Sequence, residues 1–259
     1  MHLKIFFLLQ VHFRLTSYTE RNKTKGTHEM EQEKHYRHEL KFGISRAEYL
    51  AIRERLRQVM RYDPHVSKDG TYVIRSIYFD NVDDKALREK IDGIAKREKF
   101  RIRYYNDDLS FITLEKKMKI NDLCLKYDAA ITKEELKKIL SGDISWMKER
   151  DNELIREFYA KMNYQRLKPK VLVSYLREPF IYKAGNVRVT FDSDIRTSLV
   201  SNKFLESCIP DISATDNPGD MLLEVKYDAF IPEVIRDIVQ VKGARQQAFS
   251  KYGACRRYI

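Results

Sequence analysis

The sequence predicts an α+β fold, a single domain of about eight antiparallel strands with helices packed on the outside, and three observations carry that reading. Seven runs alternate with a period of two and set charged side chains on one face, mostly against bulky apolar ones on the other. Segments between them repeat apolar residues at helical spacing. No Pro/Gly/Ser-rich linker and no internal repeat divides the 259 residues, of which 43% are apolar, enough for one substantial core.

The elements follow in order. RHELKFG reads as a strand, and ISRAEYLAIRERLRQVM as an amphipathic helix with Ser45 as N-cap and Tyr49, Ile52, Leu56 and Val59 on one stripe. DPHVSKDG is a turn-rich loop, YVIRSIYFD a strand and VDDKALREKIDG a short helix. KFRIRYY, SFITLEKKMK and LCLKYDAAI are three strands in succession, with ND and DD dipeptides supplying the hairpin turns. TKEELKKILSG is a helix opened by a Thr132/Glu135 capping box and closed by Gly142, and DNELIREFYAKMN is the next. KVLVSYLREPFIY and NVRVTFDSD are long strands. Residues from about Arg196 to Asp220 form a loop-rich excursion, MLLEVKYDAF is the last strand, and IPEVIRDIVQV with QQAFSKYGACRRY closes the chain as two helical pieces.

Residues 1–30 form a leader set apart from the single domain over 31–259. The apolar run in MHLKIFFLLQVHFRL is too short to span a bilayer and short for a secretory signal. Three readings stay open: translation that truly starts at Met30, a weak interfacial anchor, or an ordinary terminal segment. Four of the six histidines, His2, His12, His28 and His35, sit in or beside this leader, where a solvated role is expected.

With 49 Lys and Arg against 38 Asp and Glu, the formal charge is +11; without residues 1–30 the balance is 44 to 36, still +8. Such a surplus favours anionic partners. Cys124, Cys208 and Cys255, odd in number and without CxxC spacing, argue against a disulfide framework or a zinc site and suit a reducing, cytoplasmic setting. No GxxxxGK[ST], GxGxxG or HExxH is present, so those nucleotide and metal sites are excluded.

Parity along each strand yields a constellation. Glu39 and Lys41 share a face, as do Arg101 with Arg103, Glu115 with Lys117, Lys126 with Asp128, and Tyr175 with Arg177. Arg188, Thr190 and Asp192 form another such row, and Glu224 with Lys226 the last. Helices need the apolar backs of these strands, so a sheet that curls would turn its charged faces inward, around a polyanion. An open sheet with its charged face in water is the alternative that pattern alone leaves standing. Glu39, Glu115, Asp192 and Glu224 would partly balance the cations, and oxygen ligands of this kind suit Mg²⁺ or Mn²⁺.

HELKF, KFRIRYY, LEKK, SYLREPF, VRVTFDSDI, LLEVKYD and AFSKY, in that order from about Tyr36 to Tyr258, resemble the VTC domain. This is the polyphosphate polymerase module of the vacuolar transporter chaperone complex, within the triphosphate tunnel metalloenzymes. The resemblance implies an eight-stranded antiparallel β-barrel around a basic tunnel. It makes Arg101, Arg103, Lys117, Arg177 and Arg188 the catalytic cations, and Lys41, Lys126, Tyr175, Lys226, Ser250 and Lys251 phosphate-binding. Glu224 becomes the metal carboxylate, with Asp192 as a second candidate. Where the cyclase and thiamine triphosphatase branch begins ExExK, this chain has Arg37-His38-Glu39-Leu40-Lys41, which removes a metal ligand, adds positive charge and favours the polymerase branch. The implied activity is transfer of the ATP γ-phosphate to a growing polyphosphate chain with Mn²⁺ or Mg²⁺. A triphosphatase and a non-catalytic polyphosphate-binding module are the alternatives. ATP and inorganic polyphosphate are the expected partners and nucleic acid is not; a membrane-protein partner for polymer export is compatible, and oligomeric state is not legible.

Overall fold

The computed structural model describes residues 36–121, 123–199, 203–215, 219–240, 246 and 248–258. The leader reading, Met30 and the four histidines beside it lie outside them. Strand β1 (His38–Ile44) leads into α1 (Arg46–Val59), followed by β2 (Arg61–Tyr62), β3 (Tyr72–Asp80) and α2 (Lys85–Ile91). Then come β4 (Lys96–Tyr105), β5 (Asp108–Ile120), β6 (Leu123–Ile131), α3 (Lys133–Ser141) and α4 (Glu153–Tyr164). The chain ends with β7 (Lys168–Tyr182), β8 (Val187–Ser198), β9 (Ile212–Ser213), β10 (Met221–Tyr227), α5 (Glu233–Val239) and α6 (Lys251–Cys255).

Local chemistry sets the helix ends. Ser45 Oγ accepts from Glu48 N at 3.3 Å while the Glu48 carboxylate accepts from Ser45 N at 2.7 Å, a capping box that fixes the start of α1. Thr132 and Glu135 do the same for α3, and Gly142 ends it at φ +86, a conformation that costs glycine little. The stripe expected on α1 is corrected at its end. Ile52 and Leu56 are buried, but Val59 is exposed and Met60 is buried instead, because the chain leaves the helix extended at Met60 and turns that side chain inward.

The eight main strands pair antiparallel in the order β1-β10-β8-β7-β3-β4-β5-β6, with two-residue β2 and β9 added beside β7 and β8. The sheet curls until its edges meet. Among the described residues they are joined by one bridge, in which the N–H groups of Arg37 and Cys124 donate to each other's carbonyls at 3.1 Å, and no full ladder closes the barrel. The excursion expected from Arg196 begins later, since β8 runs to Ser198.

Two apolar layers lie outside the curled sheet, as the helical stripes require. Phe79, Phe100, Ile102 and Leu114 pack beneath Leu136 of α3 and Ile155 and Phe158 of α4. Val189, Phe191, Leu223 and Val225 pack beneath Ile52 and Leu56 of α1 and Ile235 of α5. A third cluster was not anticipated. Tyr252 and Cys255 of α6 pack with Ile74, Tyr78, Val173, Tyr175 and Ile195, and Tyr78 and Tyr175 of this cluster also line the inner cavity. Of the two closing helical pieces expected, the second is thus a short α6 applied to the inner side of the sheet. Among the described residues no helix is long and apolar enough to cross a membrane.

Candidate functional site

The inner faces of the strands enclose a cavity of about 490 Å³. Among the described residues, eleven Lys and Arg side chains line it against three glutamates, Glu39, Glu115 and Glu224. Strand parity puts them there. On β4 the odd positions Lys99, Arg101 and Arg103 point inward while Phe100 and Ile102 are covered outside by α4.

Each carboxylate is a node that holds several cations. Glu115 accepts from Arg101 Nε at 2.8 Å and from Arg103 Nη2, and Lys126 Nζ lies 2.9 Å away. Burial raises the carboxyl's affinity for a proton, but Arg101, Arg103 and Lys126 outweigh it and hold Glu115 well below the usual carboxylate range. Glu39 faces Lys117, which donates at 2.5 Å, and lies 3.4 Å from Lys41 and 3.6 Å from Lys226. Burial and the neighbouring Glu224 push its pKa up, yet these lysines bring it down to about 2. Glu224 pairs with Lys226, and its other oxygen stands 3.9–4.0 Å from Arg177, Lys41 and Lys251.

Aromatic hydroxyls complete the wall. Arg101 Nη1 donates to Tyr78 Oη at 3.0 Å and Arg188 Nη2 to Tyr72 Oη at 2.8 Å, while Asp63, from the loop after β2, anchors Arg188 at 2.6 Å. The Tyr175 ring lies under Lys251 Nζ and the Arg177 guanidinium, at 4.6 and 5.3 Å from its centroid. Burial opposes ionisation of Tyr175, but these two cations hold its phenol below the ordinary value.

Of the thirteen residues picked from the sequence, twelve line this one cavity: Lys41, Arg101, Arg103, Lys117, Lys126, Tyr175, Arg177, Arg188, Glu224, Lys226, Ser250 and Lys251. Asp192 is fully buried behind it, where Arg177 donates to both its oxygens at 2.6 and 2.7 Å and Lys251 also donates. Its oxygens are therefore committed to cations, and the structure gives Asp192 the position of an arginine anchor instead of a free ligand. Ser250 Oγ accepts from Gly253 N at 3.3 Å and caps α6, so its hydroxyl proton is free to donate.

Residues missed in the sequence include Lys99, whose parity with Arg101 would have found it. It has no carboxylate partner among the described residues; burial, then Lys117, Lys41 and Arg101, push its pKa well below the ordinary amine. Tyr72 and Tyr78 gave no signal, because the inner face of β3 is mostly apolar, and Asp63 sits in a loop.

For a divalent ion the donor chemistry fits at one place. Glu39 and Glu224 stand side by side, the Glu224 charge pushing the Glu39 pKa up, and Glu39 Oε1 is a buried acceptor with no hydrogen bond among the described residues. Two hard carboxylates suit Mg²⁺ or Mn²⁺. Among the described residues no three His, Cys, Asp or Glu side chains form a preformed metal cluster.

A family model described as the VTC domain matches residues 36–259. Among solved structures, the chain is similar to a candidate adenylyl cyclase from Hippeastrum described as having a dominant triphosphatase activity, at 10% identity and a TM-score of 0.49 over 86% of this chain and 96% of that one. It is also similar to the protein PH1819 of Pyrococcus horikoshii, at 12% identity and a TM-score of 0.45 over 86% and 99%. A third is a candidate adenylate cyclase of Bacillus halodurans, at 16% identity and 0.43 over 73% and 78%. No curated protein matches the chain by sequence.

Proposed function

The chain belongs to the VTC domain family, a membership that ties it to triphosphate and polyphosphate chemistry, and from that premise we propose that it transfers the γ-phosphate of ATP to the end of a growing polyphosphate chain. The observation that carries the reading is the charge of the lumen. Eleven cations meet three carboxylates, so a bound polyanion is needed to balance the wall.

Phosphoryl transfer asks a protein mainly for alignment and charge neutralisation. Arg101 and Arg103, braced by Glu115, and Arg177, braced by Asp192, present guanidinium groups whose orientation is fixed before substrate arrives. Lys117, Arg188 and these arginines would hold the γ-phosphate and the acceptor terminus in line. Lys41, Lys126, Lys226 and Lys251, with the Ser250 and Tyr175 hydroxyls, would hold the flanking phosphates. Glu224 and Glu39 would carry a Mn²⁺ or Mg²⁺ ion, which offsets charge on the bridging oxygens. No general base is required, since the acceptor phosphate is already ionised near neutral pH. ATP as donor and three free thiols suit a cytoplasmic site of action.

The test is incubation of the purified chain with ATP and Mn²⁺ or Mg²⁺, followed by gel electrophoresis. Long polyphosphate chains support the proposal. Orthophosphate alone would make the protein a triphosphatase of the same tunnel, and salt-sensitive polyphosphate binding without ATP consumption would make it a binding module.

A further inference from the structure

Lys251 and Tyr252 are neighbours on α6 with different surroundings. Lys251 reaches Asp192 and the Tyr175 ring in the lumen, while the Tyr252 hydroxyl donates to Asp80 Oδ2 at 2.7 Å, at the end of β3. Tyr252 and Asp80 are both almost wholly buried. Burial, then Asp80, push the Tyr252 phenol above its ordinary value, so the hydroxyl stays a donor.

Asp80 joins three elements. Its Oδ1 accepts from Asn81 N at 2.9 Å and Ala86 N at 3.0 Å, and its Oδ2 from Leu87 N at 3.2 Å, which satisfies open N–H groups in the first turn of α2. Among the described residues the other buried carboxylates, Asp63, Glu115, Glu178, Asp192 and Glu224, each pair with a Lys or Arg, and Asp80 does not. Hydrogen bonds alone compensate its burial, and Tyr252 supplies one of the four. Two further contacts extend this anchor. The Tyr252 ring stacks on Tyr78 with centroids 5.2 Å apart, and Tyr78 Oη accepts from Arg101 Nη1 at 3.0 Å. Just past α6, Arg256 donates to Asp84 at 2.8 Å and ties the helix to the start of α2 a second time.

We infer that Tyr252, held by Asp80, is a positioning residue of the tunnel, which fixes α6 against β3 and α2 so that Lys251 stands where phosphate lies. The inference rests on the phosphate-binding reading above. A helix of five residues does not hold its own shape in water, so contacts outside it must set where its side chains point. Tyr252 lies behind the cavity wall and acts through its neighbour.

The experiment measures inorganic triphosphate binding to the full chain by calorimetry in wild type, Tyr252→Phe, Lys251→Ala and the double variant. Tyr252→Phe keeps the ring stack and deletes one hydrogen bond, and is expected to weaken binding about tenfold. In the Lys251→Ala background the same change should cost less than about twofold, because residues that act through one another are not additive. A merely structural bond would lower the urea midpoint and leave the affinity of folded protein unchanged. That result, or losses that simply multiply in the double variant, overturns the inference. Asp80→Asn in the same two backgrounds gives an independent test should Tyr252→Phe fold poorly, and it must show the same dependence on Lys251. Wild-type protein that binds no triphosphate overturns the phosphate-binding reading itself.

Discussion

Asp192 accepts from both Nε and Nη2 of Arg177, at 2.6 and 2.7 Å, with neither side chain open to solvent beyond a few per cent. A two-pronged pair of this kind fixes the plane of the guanidinium, so Arg177 faces the lumen in one orientation. Removing one member of a buried pair strands the other charge. Asp192→Ala is therefore expected to lower stability by about 3–5 kcal/mol, read from the urea midpoint. A loss below about 1 kcal/mol would mean that the pair is not buried in solution.

Arg103→Ala and Glu224→Gln address the chemistry. Each should reduce kcat by about 10²-fold or more while leaving circular dichroism unchanged, since each removes a charge aimed at phosphate or metal and no outer packing. Wild-type turnover in either would falsify the tunnel assignment.

Lys99 predicts a pH effect. Its amine is depressed below the ordinary 10.5 by burial and by Lys117, Lys41 and Arg101, and a phosphate drawn close favours the charged form. Triphosphate binding should therefore take up protons and weaken as pH rises through the alkaline range below 10.5. Calorimetry in buffers of different ionisation enthalpy measures the uptake. Lys99→Arg should abolish it while preserving affinity.

Acid should unfold the domain through the same carboxylates. The Glu39 pKa is about 2 in the folded protein against an ordinary 4.5, so the folded state binds fewer protons than the unfolded one between these values. The stabilisation is complete above pH 4.5 and is lost as pH falls toward 2. A thermal midpoint that stays constant over that window would contradict the burial of these pairs.

Phe158 tests the outer layer alone. It stacks on Phe100 at 5.2 Å and meets Phe79 edge-on at 4.9 Å, fully buried on the sheet-facing side of α4. Phe158→Ala is expected to cost about 3–5 kcal/mol in denaturant, with triphosphate affinity retained by the protein that remains folded.

Period-two alternation was enough to place Arg101 and Arg103 opposite Phe100 and Ile102, because side chains on a strand have only two directions. The helix ends were legible for a similar reason: the signals at Ser45, Thr132 and Gly142 lie within a few residues of the backbone groups they satisfy. Lys99 was readable by the same parity and was passed over.

Composition and periodicity, then, determined which residues share a face and that the shared face is cationic. Tertiary structure alone decided which carboxylate serves which cation. Asp192 and Glu224 carry the same charge on neighbouring strands, yet one lies locked beneath Arg177 and Lys251 and the other stands beside Glu39 in the lumen. That difference comes from strand register and from α6 folding inward to deliver Lys251. Both depend on contacts between distant segments, such as Lys251 with Asp192, that no local pattern records.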